Sequence, residues 1–213
     1  FWGEQALKFI DWTTPFDSVS SINFKASQVN WFAGGKLNVS YNCIDRHLAT
    51  KANDTAIIWE GDNPSEDAKI TYQELHDHVC RLANLLKARG VKKGDRVCIY
   101  MPMIPEVGYA MLACARIGAI HSVVFGGFSA EAIKSRVIDA DCQVIITADE
   151  SLRGGKKIPL KANVDAAIVD CHNVHTVVVV ERTGGDVHYN DKVDIRYAAA
   201  VAAMPAVCQP EVM

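Results

Sequence analysis

From residue 55 onward the chain alternates short, continuously apolar runs with longer stretches whose apolar positions recur every three or four residues. Continuous runs bounded by Gly or Pro read as strands buried on both faces, and the longer spacing reads as helices with one buried side. The pattern predicts strands at 55–60, 97–101, 120–125, 144–147 and 174–180. Thr71-Tyr72-Gln73-Glu74 has the form of a capping box, in which the Thr hydroxyl and the Glu carboxylate satisfy free amides at a helix start. Leu75, Val79, Leu82, Leu85 and Leu86 then follow at helical spacing, and Gly90 suits the stop. Gly94-Asp95 turns the chain into the strand 97–101, and Pro102 and Pro105 precede an apolar helix that Gly118 ends. Ser129 stands where a cap belongs for a helix carrying Ile133, Val137 and Ile138. Further helices are expected at 160–169 and at 195–203, the last with Asp194 as its cap, and a short one at 42–51.

Alternation of this kind predicts an α/β fold, a mostly parallel sheet flanked by helices, whose ligands bind beyond the carboxyl ends of the strands. Two glycine-rich loops fall at that edge: Phe125-Gly126-Gly127-Phe128 after one strand, and Arg153-Gly154-Gly155-Lys156-Lys157 after the next. Residues 1–50 differ in kind. They are aromatic-rich and irregular, and are expected to pack as a separate segment on an α/β body formed by 51–213. Gly34-Gly35-Lys36 within them reads as a plain turn, because no strand is predicted before it and no helix after it.

The formal net charge of −3 excludes a general nucleic-acid or membrane-surface binder, so any anion site must be local. Apolar runs fall short of the ~20 residues that cross a bilayer. The seven cysteines are scattered without a C-x-x-C pair and read as buried thiols of a cytoplasmic protein. The chain opens on Phe1 and stops at Met213 just after Pro205 and Pro210, which reads as a piece of something longer.

The basic loop is the strongest candidate for chemistry. Arg153 can grip phosphate through two N–H groups, Gly154 and Gly155 let a ligand approach the backbone, and Lys156 and Lys157 add point charge. A solvated basic turn has the same composition; position after a parallel strand favours phosphate. Phe125 offers a stacking face beside the open backbone of Gly126 and Gly127, and the amides at the following helix start can face an anion. Asp149-Glu150 lie nearby and are expected to orient the loop rather than move protons. Cys171, His172 and His175 lack a fourth ligand for a metal site. His76 and His78 are expected on solvated helix faces, and His121 in the core. Neither G-x-G-x-x-G nor G-x-x-x-x-G-K-[ST] occurs, and no complete catalytic set is present.

The run from Trp31 to His47, the block from Thr71 through Pro102-Met103, the stretch from Val123 to Ser129, and Thr147-Ala148-Asp149-Glu150 leading into Arg153-Gly154-Gly155-Lys156 resemble the AMP-forming acetyl-CoA synthetases along essentially the whole chain. The resemblance implies the adenylate-forming synthetase fold and the ligation of acetate to coenzyme A through an acetyl-adenylate, with ATP, Mg2+ and CoA as cofactors of the full-length enzyme. It implies that Arg153, Gly154, Gly155 and Lys156 contact the nucleotide end of CoA and that Phe125, Gly126 and Gly127 border its adenine. Some relatives carry Arg where Lys156 stands. The phosphate loop, the acetate pocket and the mobile C-terminal domain would lie in the remainder of the same polypeptide, so no catalytic residue is assigned here. The chain alone is expected to be inactive. Propionyl-CoA and acetoacetyl-CoA synthetases, and a non-catalytic nucleotide-binding module, are the alternatives.

Overall fold

The computed structural model describes all 213 residues, Phe1–Met213. Four of the apolar runs form a five-stranded, wholly parallel sheet together with Asp194–Arg196, a short strand where the sequence pattern predicts the start of a helix. Its members are β5 (Arg96–Met101), β6 (Ile120–Phe125), β7 (Val144–Ala148), β10 (Thr176–Val180) and β11 (Asp194–Arg196), in the order β11-β10-β7-β5-β6. Helices α3 (Tyr72–Ala88), α4 (Pro105–Arg116), α5 (Ala130–Asp139), α6 (Leu160–Ile168) and α7 (Tyr197–Ala202) cover it. One continuous buried cluster extends from Ile44 to Cys208. The chain passes from β5 to β6 on one side and then back across to β7 and β10. The topological switch point therefore lies between β5 and β7.

The capping box forms as expected: the Thr71 hydroxyl accepts from the Glu74 amide, and the Glu74 carboxylate accepts from the Thr71 amide. Pro105 occupies the first turn of α4, where its missing N–H costs nothing. Six of the seven cysteines are buried and all are free thiols; Cys43 is exposed. Burial pushes the Cys114 thiol up to about 12 and that of Cys142 to about 11.

The strand expected at 55–60 forms as β3 (Thr55–Glu60) and pairs antiparallel with β4 (Asp67–Thr71) as a ribbon outside the main sheet. Other expectations are corrected. Residues 1–50 hold more regular structure than their pattern suggests. They contain α1 (Trp2–Phe9), an antiparallel hairpin of β1 (Ser18–Asn23) and β2 (Gln28–Ala33), a π turn at Tyr41–Asp45 and α2 (Arg46–Lys51). The hairpin is exposed on both faces, so no alternation in the sequence marks it. A strand does precede Gly34, although the segment remains a turn, with Gly34 at φ 82°.

Asp194 does not cap the last helix. Its carboxylate lies 2.9 Å from the ammonium of Lys161, a wholly buried cation that also meets Asp165 at 2.5 Å. Arg196 occupies the N-cap position of α7 instead. His121 is exposed because β6 is an edge strand. His78 is exposed as expected, with its ring stacked on Tyr109 at 4.6 Å between centroids, whereas His76 is partly buried and approaches Asp45 at 3.7 Å.

The first 50 residues are tied to the body by polar groups. Arg116, 2% exposed, donates to both carboxylate oxygens of Asp45 at 2.7 Å and to the Cys208 carbonyl at 2.6 Å. Asn38 donates to the carbonyls of Ala115, Arg116 and Glu211. An apolar helix pattern gave no warning of a buried guanidinium at its end.

Candidate functional site

The strand β7 leaves the sheet at Ala148 and runs into a small hairpin, β8 (Ser151–Arg153) and β9 (Lys156–Ile158). Gly154 and Gly155 form its two-residue tip, with φ 56° and 72°. Two successive left-handed residues are what a type I′ hairpin turn requires, and only glycine enters that conformation without strain. A side chain at either position would meet nothing within 4 Å, so the demand comes from backbone conformation and not from space.

The turn amides are engaged. Those of Gly154 and Gly155 donate, each at 3.0 Å, to the two carboxylate oxygens of Asp62, in the loop between β3 and β4. These two bonds hold the Asp62 carboxyl below its ordinary value. The glycines thus serve the turn and its latch, while the side chains of Arg153 and Lys156 beside them are exposed. Lys157 is withdrawn into a 2.7 Å ion pair with Glu150. That contact and the Thr183 hydroxyl hold the Glu150 carboxyl low.

Below the hairpin, Asp149 does what a loop-orienting acid should. Its buried carboxylate accepts from the amides of Glu150, Arg182, Thr183 and Gly184, joining the carboxyl ends of β7 and β10.

The second loop meets the first. Arg153 places its guanidinium 5.7 Å from the centre of the Phe125 ring, within cation–π range. Phe125 is 58% exposed although it ends an apolar strand. Its ring lies across Gly127, where an added Cβ would come within 2.7 Å of it. Gly126 sits against the end of β5, where a Cβ would approach the Met101 carbonyl at 3.1 Å. The buried Tyr100 hydroxyl donates to the Phe128 carbonyl at 2.8 Å and accepts from Asn163 at 3.2 Å, fixing this loop from beneath. Burial raises the pKa of that hydroxyl.

Phe128 contacts Phe125 edge-on at 5.7 Å, and Arg136 lies 4.8 Å over Phe128. Arg153, Phe125, Phe128 and Arg136 therefore form a continuous cation–aromatic–aromatic–cation ribbon on the surface. Ser129 takes the N-cap position of α5 without a side-chain bond, so it caps by position only. Arg136 could not be assigned from sequence, because it sits one more turn along a helix with no motif around it.

Beside this ribbon, at the switch point, a cavity of about 210 Å³ is lined by Trp59, Asp62, Met103, Leu152 and Arg182 among others. The Trp59 indole N–H donates to the Met103 carbonyl at 2.7 Å, and Arg182 stacks on Trp59 while pairing with Glu66. Asp62 faces both the cavity and the hairpin tip.

Comparison with known proteins bears on what such a surface holds. The family model for AMP-binding enzymes matches residues 44–210, and that for the acetyl-coenzyme A synthetase N-terminus matches 1–43. Over its whole length the chain is 63% identical to the acetyl-coenzyme A synthetase of Saccharophagus degradans and 62% identical to acetyl-coenzyme A synthetase 2 of Pseudomonas aeruginosa. It spans 33% of the length of each. The solved structure of acetoacetyl-CoA synthetase from Streptomyces lividans superposes with a TM-score of 0.87 at 26% identity, covering 100% of this chain and 32% of that one. No helix is long and apolar enough to cross a membrane.

Proposed function

Because the chain belongs to the AMP-binding enzyme family, we propose that it forms the CoA-facing part of a longer acetate–CoA ligase. That enzyme joins acetate to ATP, forming acetyl-adenylate and releasing pyrophosphate, and then passes the acetyl group to the thiol of CoA, releasing AMP. In this reading residues 1–50 are a synthetase-type segment packed on the body of 51–213. The nucleotide end of CoA lies on the ribbon: Arg153 and Lys156 meet its phosphates, while Phe125, Gly126 and Gly127 border its adenine. The observation that carries the assignment is the meeting of the two loops, with the Arg153 guanidinium 5.7 Å over the Phe125 ring. Sequence spacing alone could not require it.

The cations suit this task. An always-charged fork and a neighbouring ammonium are presented without ion pairs of their own on a chain of net charge −3, while the third cation is neutralised by Glu150. ATP binding and adenylation belong to the rest of the polypeptide. Mg2+ would accompany ATP there, held chiefly by the nucleotide's phosphates and water.

The acyl group is the part of the assignment to test first. In the longer enzyme, pyrophosphate exchange into ATP should depend on acetate and run at least tenfold faster than with propionate or acetoacetate. Faster exchange with either of the larger acids would transfer the assignment to a propionyl-CoA or acetoacetyl-CoA synthetase. Absence of exchange with all three, with CoA still bound, would favour a non-catalytic nucleotide-binding module.

A further inference from the structure

Asp62 lies 92 residues before the hairpin tip, in a loop whose run Gly61-Asp62-Asn63-Pro64-Ser65 reads as an ordinary turn. Its placement is more specific than that. One oxygen accepts from the Gly154 amide and the other from the Gly155 amide, both at 3.0 Å. Two-point attachment fixes the rotation of the tip as well as its distance, which a single bond cannot do. The loop that carries Asp62 is itself anchored: the Gly61 amide donates to the Glu66 carbonyl at 2.7 Å, and Glu66 pairs with Arg182 at the end of β10.

The hairpin needs such an anchor. Its strands are three residues each, too short to hold an orientation alone. Arg153 and Lys156 face each other directly across the pair, so tilting the tip moves both cations together. A side chain at either glycine would find open space, so no packing fixes the tip.

We infer that Asp62 is a positioning residue for the CoA site: by gripping the Gly154–Gly155 turn through both carboxylate oxygens it holds Arg153 over Phe125 and sets Arg153 and Lys156 at one height above the sheet edge. The inference rests on the proposed CoA assignment. It also has a consequence that the assignment lacks. The two turn amides are satisfied by Asp62 and are not donated to phosphate, so a mutation 92 residues away should act on CoA alone.

The test uses the longer enzyme with Asp62→Ala, Asp62→Asn and Arg153→Ala in parallel. Three quantities are measured: the KM for CoA, the rate of acetate-dependent pyrophosphate exchange, and the Kd of adenosine 3′,5′-bisphosphate by titration calorimetry. Asp62→Ala should raise the CoA KM and the bisphosphate Kd about tenfold, leaving exchange within about twofold. Asp62→Asn keeps the shape and one acceptor oxygen; it should fold normally and fall between wild type and Asp62→Ala. If Arg153→Ala weakens CoA while both Asp62 variants leave KM and Kd unchanged, the positioning role is refuted and the site assignment stands. If the Asp62 variants lower exchange as much as CoA use, Asp62 is merely structural and the inference also fails. If Arg153→Ala itself leaves CoA binding untouched, the assignment falls and the inference with it.

Discussion

Arg153→Ala in the longer enzyme should raise the KM for CoA by roughly 10- to 100-fold while acetate-dependent pyrophosphate exchange stays within about twofold. A hydrogen bond to a charged group is worth about 1.5–3 kcal/mol, and each 1.4 kcal/mol is a factor of ten. Arg153 is exposed and makes its contact with the Phe125 face, so its loss leaves no buried charge behind and should not unfold the protein. Arg153→Lys should recover part of the loss: it keeps the charge but not the planar two-point grip or the stacking. A mutation that disturbed only CoA binding would change KM without kcat for adenylation. Equal loss in both half-reactions would mean that Arg153 acts through the fold and not through the thiol carrier.

Arg116→Ala should lower the unfolding free energy by about 3–5 kcal/mol, the usual cost of removing one partner of a buried ion pair. The guanidinium is 2% exposed, and its Asp45 partner is 16% exposed. Without Arg116, the Asp45 carboxylate keeps only His76 at 3.7 Å as a possible counter-charge, and the Cys208 carbonyl loses a donor. The double variant with Asp45→Ala should cost clearly less than the sum of the single ones, because removing the second group relieves the stranded charge. Urea unfolding of the four proteins checks this. Since the pair ties residues 1–50 to α4 and the C-terminal stretch, the single variants should also expose Trp2 to Phe32 to limited proteolysis. A change below 1 kcal/mol would show that the pair behaves as a solvated surface contact.

These two predictions differ in how far the sequence reveals them. The middle of the parallel sheet was readable because β5, β7 and β10 are buried on both faces and therefore continuously apolar, as in the Val177–Val180 run, whereas the short, charged edge strand β11 carried no such signal. The capping box was readable because its partners are three residues apart. Phe125, Gly126 and the Arg153 loop were placed at one edge of the sheet by topology alone, since successive parallel strands deliver their loops to the same side. Contacts set by tertiary structure were not readable. Arg116 meets Asp45 across 71 residues, and Asp62 meets Gly154 across 92. The β8–β9 hairpin is too short and too charged to show alternation. Arg136 joins the ribbon because a turn of α5 carries it back over Phe128. Asp194 had the residue type of a helix cap, but the need of a buried Lys161 for a counter-charge prevailed over local capping.

The decisive measurement is a crystal structure of the longer enzyme with CoA bound. The adenine should border Phe125 and Gly126, with a nucleotide phosphate within 4 Å of the Arg153 or Lys156 nitrogens, about the reach of an ion pair, and Asp62 still on the hairpin tip. A nucleotide end resting elsewhere, with Arg153 and Phe125 facing solvent, would contradict the account.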